Sequence, residues 1–291
     1  MPDEGSPTVR RRRLAAELHR LRDRVGLTGD QVAERLGWSP SKVSRIENTR
    51  SGIKVSDAQR LLDLYGVAGA HREELVALAR EAERKGWWDA YSGALPGEYA
   101  ALIGLEAEAE LAWNWEPQIV PGLLQTEEYA RAVIRAHMGA TATVPPGEIE
   151  RRVAARMARQ EVLTRAQPLQ LTVALDESVL LRRFGDDSVM GGQLARLAQV
   201  SELPNVKLRI LPLAGSHPIG TGGFVLLQFN QVHKTALRDV VYLENLSGSL
   251  YVEDEAETYQ YRLAFGRLVE DCLDSARSRE LVSRVAREIQ S

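Results

Sequence analysis

One cysteine, Cys272, stands among 291 residues. A lone thiol builds no disulfide framework, so the fold has to rest on a buried core, and a reducing cytoplasm is the expected compartment. Long apolar runs are missing as well. None approaches the ~18 residues of a membrane span, so no membrane partner is expected. The arginine-rich N-terminus lacks the apolar stretch of a secretory leader. Metal-ligand patterns are absent too: none of His19, His71, His137, His217 and His233 is spaced for metal binding with another histidine or with Cys272. There is no Gly-x-Ser-x-Gly elbow. Gly220-Thr221-Gly222-Gly223 lacks the lysine of a phosphate loop and precedes a strand pattern, so it reads as loop glycines. Asp176-Glu177 reads more simply as a strand end leading into a helix cap than as catalytic carboxylates. These absences argue for no metal, no cofactor and no enzymatic activity.

What is present is an ordinary globular composition. Hydrophobic residues make up 44% and charged residues 26%, enough for a sizeable core, and the length suits about two domains. Charge is unevenly spread. Residues 1–66 carry 13 Lys and Arg against 9 Asp and Glu, whereas the remainder carries 24 against 31. A basic head on an acidic body suits a phosphate-binding head.

Residues 1–8 are expected to be disordered. Arg10 to Arg13 then open a helix whose Leu14, Leu18, Leu21 and Val25 share one face. A positive run at a helix N-terminus opposes the macrodipole, so it either meets phosphates or forms a solvated tail. The most ordered local signals run from Thr28 to Asn48. Thr28 and Gln31 form a capping-box pair, and Val32, Ala33 and Leu36 lie on one face. Gly37 is placed to end that helix, and Ser39-Pro40 to start another. Val43 and Ile46 then point inward, leaving Ser41, Lys42, Ser44 and Arg45 outside. Thr49-Arg50-Ser51-Gly52 reads as a turn. Two further helices follow, from about Ser56 to Tyr65 and from His71 to Arg84.

Lys85-Gly86-Trp87-Trp88 marks a boundary, with residues 89–104 loop-like. Leu102 to Trp115 reads as a helix, broken by Pro117, Pro121 and Gly122. Thr126 caps a helix to about Met138, and Glu148 to Ala166 reads as another. Strands are expected at Leu169–Leu175, Val206–Ile210, Phe224–Phe229 and Val240–Leu243, with helical segments at Ser178–Arg183 and Met190–Ser201. Helix then covers roughly Glu255–Gln290, interrupted near Ser275. The expected fold class is an N-terminal all-α domain of about five helices, a helical linker, and an α/β (α+β) domain. That last domain holds a small mixed sheet of about four to five strands and a long C-terminal helical region. The expected divisions are 1–84, 85–104 and 105–291.

The series Gln31, Ala33, Gly37, Ser44, Ile46, Glu47 resembles the helix-turn-helix of the Xre/Cro-like repressor family. The longer series Trp113–Ala132, with its Pro121-Gly122-Leu123-Leu124-Gln125-Thr126-x-x-Tyr129-Ala130 core, is similar to a domain of unknown function. That domain follows such heads in actinobacterial, antitoxin-like regulators. Gly86-Trp87-Trp88, Leu105-Glu106, Arg159-Gln160 and Tyr242-Leu243-Glu244 fit the same family.

The resemblance implies that the second helix of the pair lies in the major groove. On that footing Ser41, Lys42 and Arg45 are candidates for base contacts, Arg45 having the fork that matches guanine. Gln31, Ser39, Arg50, Arg11 and Arg12 are candidates for phosphate contacts. The family commonly has glycine where this chain has Thr49. Asn48, which tolerates the left-handed conformation, is expected to close the helix one residue earlier. The implied protein is a cytoplasmic, nucleoid-associated homodimer on double-stranded DNA with a palindromic operator. Its body would sense a small-molecule effector or a small protein partner encoded nearby. The alternative is an antitoxin-like interaction protein that holds a small partner protein and autoregulates. Trp87, Trp88, Trp113, Trp115 and Tyr129, gathered around Leu123 and Leu124, are candidates for the effector or partner region. They are more simply read as the joint between head and body. His217 to Gly223, Gly222 among them, is a candidate rim.

Overall fold

A computed structural model of the chain describes residues 6–48, 52–91, 93–139, 145–230, 238–246 and 248–290. The chain divides into two compact units, a head running to Asp89 and a body made of Ala90–Phe229 with Arg238 onward. No helix among the described residues is long and apolar enough to cross a membrane.

The head holds five helices: α1 (Pro7–Arg24), α2 (Gly29–Leu36), α3 (Pro40–Glu47), α4 (Val55–Leu64) and α5 (Gly69–Ala82). Each inward stripe supplies the same core: Leu14, Leu18 and Leu21 from α1, Val32 and Ala33 from α2, Val43 and Ile46 from α3, Leu61 and Leu62 from α4, Leu75 and Ala79 from α5. Residues 6–8, expected to be disordered, are ordered. Pro7 occupies the first helical position, where its missing donor costs nothing. The arginine run therefore sits a turn further in than expected. Arg10 pairs with Glu81, and Arg11 Nε donates to the Ala82 carbonyl at 3.3 Å. Both cations meet the C-terminal end of α5, where the helix dipole favours positive charge.

Residues 89–104, expected as loop, contain the end of a 3-10 turn, Trp87–Tyr91, and most of α6 (Gly97–Glu106). The expected helix over 102–115 is corrected. Helix ends at Glu106, and Leu111–Glu116 forms β1. Alanine and glutamate between them suit a helix, but the pairing of β1 on both sides decides the outcome. The other strands are β2 (Gln170–Asp176), β3 (Val206–Leu211), β4 (Phe224–Gln228), β5 (Val240–Asn245) and β6 (Gly248–Val252). They form one six-stranded mixed sheet in the order β3-β2-β1-β4-β5-β6. β1 runs parallel to β2, and β2 to β3; β1–β4, β4–β5 and β5–β6 are antiparallel. β1 and β6 are the strands that sequence periodicity passes over.

The remaining body helices are α7 (Glu127–Gly139), α8 (Pro146–Arg159), α9 (Ser178–Leu181), α10 (Asp187–Val200), α11 (Glu255–Asp271) and α12 (Ser275–Gln290). The expected helix over 148–166 stops at Arg159 and passes into a 3-10 turn, Gln160–Leu163. The break near Ser275 is found, with the Asp274 carboxylate accepting from Arg277 N at 2.8 Å. α11 covers one sheet face, where Phe265 and Leu268 pack with Trp115, Ala174, Leu226 and Val241. Arg209 of β3 donates to the Val269 carbonyl of α11 at 3.1 Å. α12 packs on β3 and α10, and Ser278 Oγ accepts from Ile210 N at 3.0 Å.

Candidate DNA-reading surface

The α2–α3 pair is set by local chemistry. Thr28 Oγ1 accepts from Gln31 N at 3.2 Å while Gln31 Oε1 accepts from Thr28 N at 2.9 Å. This reciprocal box satisfies two orphan donors at the start of α2. Gly37 then takes φ +64°, a left-handed conformation that opposes a β-carbon, and Trp38 N closes the turn on the Ala33 carbonyl at 2.8 Å. Ser39 Oγ accepts from Lys42 N at 3.3 Å, and Pro40 starts α3. The α3 axis is thus fixed within three residues of the α2 end.

One face of α3 is buried through Val43 and Ile46, and the other leaves Ser41, Ser44 and Arg45 exposed. At its C-terminal end Glu47 accepts from Arg22 Nε at 2.8 Å, and Arg22 Nη1 donates to the Leu27 carbonyl at 2.8 Å. Both partners are mostly buried, with side-chain exposures of 13% for Arg22 and 10% for Glu47. The hydrogen bond to Glu47 holds the Arg22 guanidinium above its ordinary pKa, and burial, with the Glu47 charge nearby, raises that of the Tyr65 hydroxyl. This pair ties α3 to α1. Asn48 does close α3, but not in the left-handed form expected of it. Its φ is -95°, and its Nδ2 donates back to the Ser44 carbonyl at 2.9 Å. Thr49 and Arg50, with the contact assigned to Arg50, lie outside the described residues.

The remaining sequence candidates divide by exposure. Gln31 and Ser39 are exposed at helix N-termini, each also engaged in a cap. Lys42 is half-buried: its Nζ lies 2.9 Å from Asp57 Oδ2 and 3.8 Å from the centre of the Trp38 ring. Arg12 is buried, with 8% of its surface exposed, so its side chain is not laid out on the surface as a phosphate contact requires. Arg11 is engaged at the end of α5 as described. Sequence reasoning missed Arg22, Asp57 and Trp38. No local pattern links residues 15 or 25 positions apart, although Trp38 could have been flagged as the aromatic at the turn.

The aromatic residues expected around the Pro-Gly-Leu-Leu segment are divided between the two units. Trp113 stacks on Phe265 at 5.3 Å, Tyr129 meets Phe184 edge-on at 5.6 Å, and Trp87 meets Trp88 edge-on at 5.9 Å within the head. Trp115, Leu123, Leu124 and Tyr129 are almost wholly buried. They therefore hold the body together rather than offer a surface. The signature is a polar interlock: Gln160 Nε2 donates to the Gly122 and Gln125 carbonyls, Gln125 Nε2 to the Val120 carbonyl, and Gln193 Nε2 to the Leu124 carbonyl. Beside it, Arg159 donates to Glu106 and, at 2.8 Å, to the Tyr99 hydroxyl. Burial disfavours the Tyr99 phenolate, but the Arg159 and Arg156 charges outweigh it and lower the pKa.

Glu116, at the end of β1, has no basic side chain in ion-pair range among the described residues. Burial, with the Glu244 charge adding, pushes its carboxyl up to about 8. His217 is exposed in the loop before β4, its Nε2 3.3 Å from Asp176 Oδ2, and Gly222 is exposed further along that loop. No group of three or more potential metal ligands occurs among the described residues.

A capped helix, a left-handed glycine turn and a second helix with an exposed polar face define a helix-turn-helix DNA-binding regulator. The model for the helix-turn-helix domain matches residues 13–75. The model for the domain of unknown function DUF5753 matches residues 99–284, well over half the chain, so the chain belongs to the DUF5753 family. No curated protein and no solved structure matched the chain.

Proposed function

We propose that this chain is a sequence-specific transcriptional regulator of the Xre/Cro-like kind, with α3 lying in the major groove. The observation that carries the reading is the orientation of α3: Val43 and Ile46 anchor it in the core, and Ser41, Ser44 and Arg45 are left outside. Ser41 and Arg45 read base edges, the Arg45 fork suiting the O6/N7 edge of guanine. Gln31 and Ser39 place their helix N-termini against phosphates. One head offers one reading helix, so a homodimer on a roughly palindromic site follows, with half-sites about one helical turn apart.

The body serves as the input and not as an enzyme. It takes a small molecule or a small partner protein, and the Glu116 carboxyl, half-buried with no ion-pair partner among the described residues, is the group in keeping with such a role. An input acts only by binding the DNA-competent and DNA-incompetent states unequally.

Selection of bound genomic fragments by the full chain tests the reading. Enrichment of a few discrete sites sharing a two-fold motif supports it, and recovery of fragments at random overturns it.

A further inference from the structure

We propose that Asp57, with Trp38, holds the Lys42 ammonium against the protein and off the DNA backbone, so that Asp57 is a specificity-determining residue of the head. The inference rests on the DNA-reading role given to α3. Lys42 stands in the first turn of α3 beside Ser41, where a free lysine would add a strong, sequence-blind attraction to phosphates. It is not free. Asp57 Oδ2 lies 2.9 Å from Nζ, and the Trp38 ring centre lies 3.8 Å away.

Both partners are themselves held. Asp57 is in the first turn of α4, where the helix dipole favours a carboxylate. The Trp38 ring also carries the Arg60 guanidinium at 5.2 Å, and Arg60 Nη2 donates to the Leu36 carbonyl at 2.6 Å, the C-terminal end of α2. The cluster therefore joins α2, the turn, α3 and α4 at the end of α3 that faces a groove.

Moving Lys42 to a phosphate would break the ion pair and the ring contact together. It would also leave the Asp57 carboxylate bare beside a polyanion. With side-chain exposures of 33% for Lys42 and 18% for Asp57, the pair adds little to stability. Its consequence lies in subtracting one non-specific phosphate contact, which leaves discrimination to Ser41 and Arg45.

The test is the salt dependence of DNA affinity for the full chain, measured on its selected operator and on a scrambled duplex. Asp57→Asn frees Lys42, and the slope on scrambled DNA steepens by about 0.9, roughly a three- to fourfold larger loss of affinity between 50 and 200 mM salt. The ratio of operator to scrambled affinity falls. Lys42→Met keeps the stem over Trp38 but leaves the Asp57 carboxylate bare, so the charge-neutral reference is the double variant, which removes both partners and keeps the wild-type slope. The proposal is overturned if the double variant flattens the slope by about 0.9 relative to wild type, the mark of a phosphate contact by Lys42. It is equally overturned if the double variant is as steep as Asp57→Asn, which would trace the effect to the lost carboxylate. Circular dichroism melts keep loss of fold apart from these effects. Wild-type chain that binds neither duplex overturns the DNA-reading role itself, and this inference with it.

Discussion

Replacing Glu47 by glutamine keeps the shape of the side chain and removes its charge, which isolates the ion pair that ties α3 to α1. In the wild type, Glu47 meets Arg22 at 2.8 Å with both side chains mostly buried. Breaking one partner of a buried pair typically costs ~3–5 kcal/mol, because the other charge is left uncompensated. Arg22 retains the Leu27 carbonyl at 2.8 Å and the more exposed Asp23 at 3.0 Å. The expected loss is therefore below that range, about 2 kcal/mol. A head of this size shifts by ~4–8 °C per kcal/mol, so its thermal transition should fall by roughly 10 °C. Differential scanning calorimetry of the full chain, with hydrogen exchange to assign the transition to the head, reads this directly. Operator affinity should fall as well, since α3 loses its C-terminal tether. A melting temperature within about a degree of wild type would refute the reasoning: it would mean that water screens the pair as it does a surface salt bridge.

Arg45→Ala should cost roughly 1–3 kcal/mol of operator affinity and relax the choice at one base position, read by selection from a randomised operator; uniform weakening across sequences would reassign Arg45 to phosphate. Glu116→Gln should make the body more stable than wild type as pH rises. The carboxyl has its folded pKa pushed up to about 8 from 4.5, so the folded chain keeps a proton that the unfolded chain releases, and wild-type stability declines across that window. The slope approaches ~1.4 kcal/mol per pH unit at most. Urea titrations at pH 5 and 8 that give the same difference between the two proteins would contradict this. Gly86→Ala should destabilise the head by ~1–3 kcal/mol, since an added β-carbon would sit 2.4 Å from the Trp88 ring; an unchanged urea midpoint would show that the ring moves freely. Cys272 is buried, and burial pushes its thiol up to about 11. It should resist iodoacetamide at neutral pH until the chain unfolds, and fast alkylation of the native protein would say otherwise.

The head is legible in the sequence because its decisions are local. The Thr28–Gln31 box, Gly37 and Ser39-Pro40 each fix backbone within a few residues, and the observed α2 and α3 follow them. α1 starts ahead of its arginine run because Pro7, with its φ already set and no donor to lose, opens the helix three residues before Arg10. In the body, β1 escapes notice for a physical reason. Its alternation of Leu111, Trp113 and Trp115 with Ala112, Asn114 and Glu116 follows directly on the helix-favouring run at 107–110, and its polar side is enclosed rather than solvated, Asn114 being buried and donating to the Phe224 carbonyl at 3.0 Å. β6 is five residues long and begins with glycine, leaving too little pattern to read. The contacts that refine the reading surface, Arg22–Glu47 and Lys42–Asp57, join separate helices. They become visible only once the helices are packed.

The central claim, that α3 reads base sequence, is tested most directly by selecting bound duplexes from a random library with the wild-type chain and with Arg45→Ala. The account predicts a discrete, two-fold symmetric motif for the wild type and, for the variant, the same motif with one position per half-site relaxed. No enriched motif from the wild-type chain, or an identical motif from both, would contradict it.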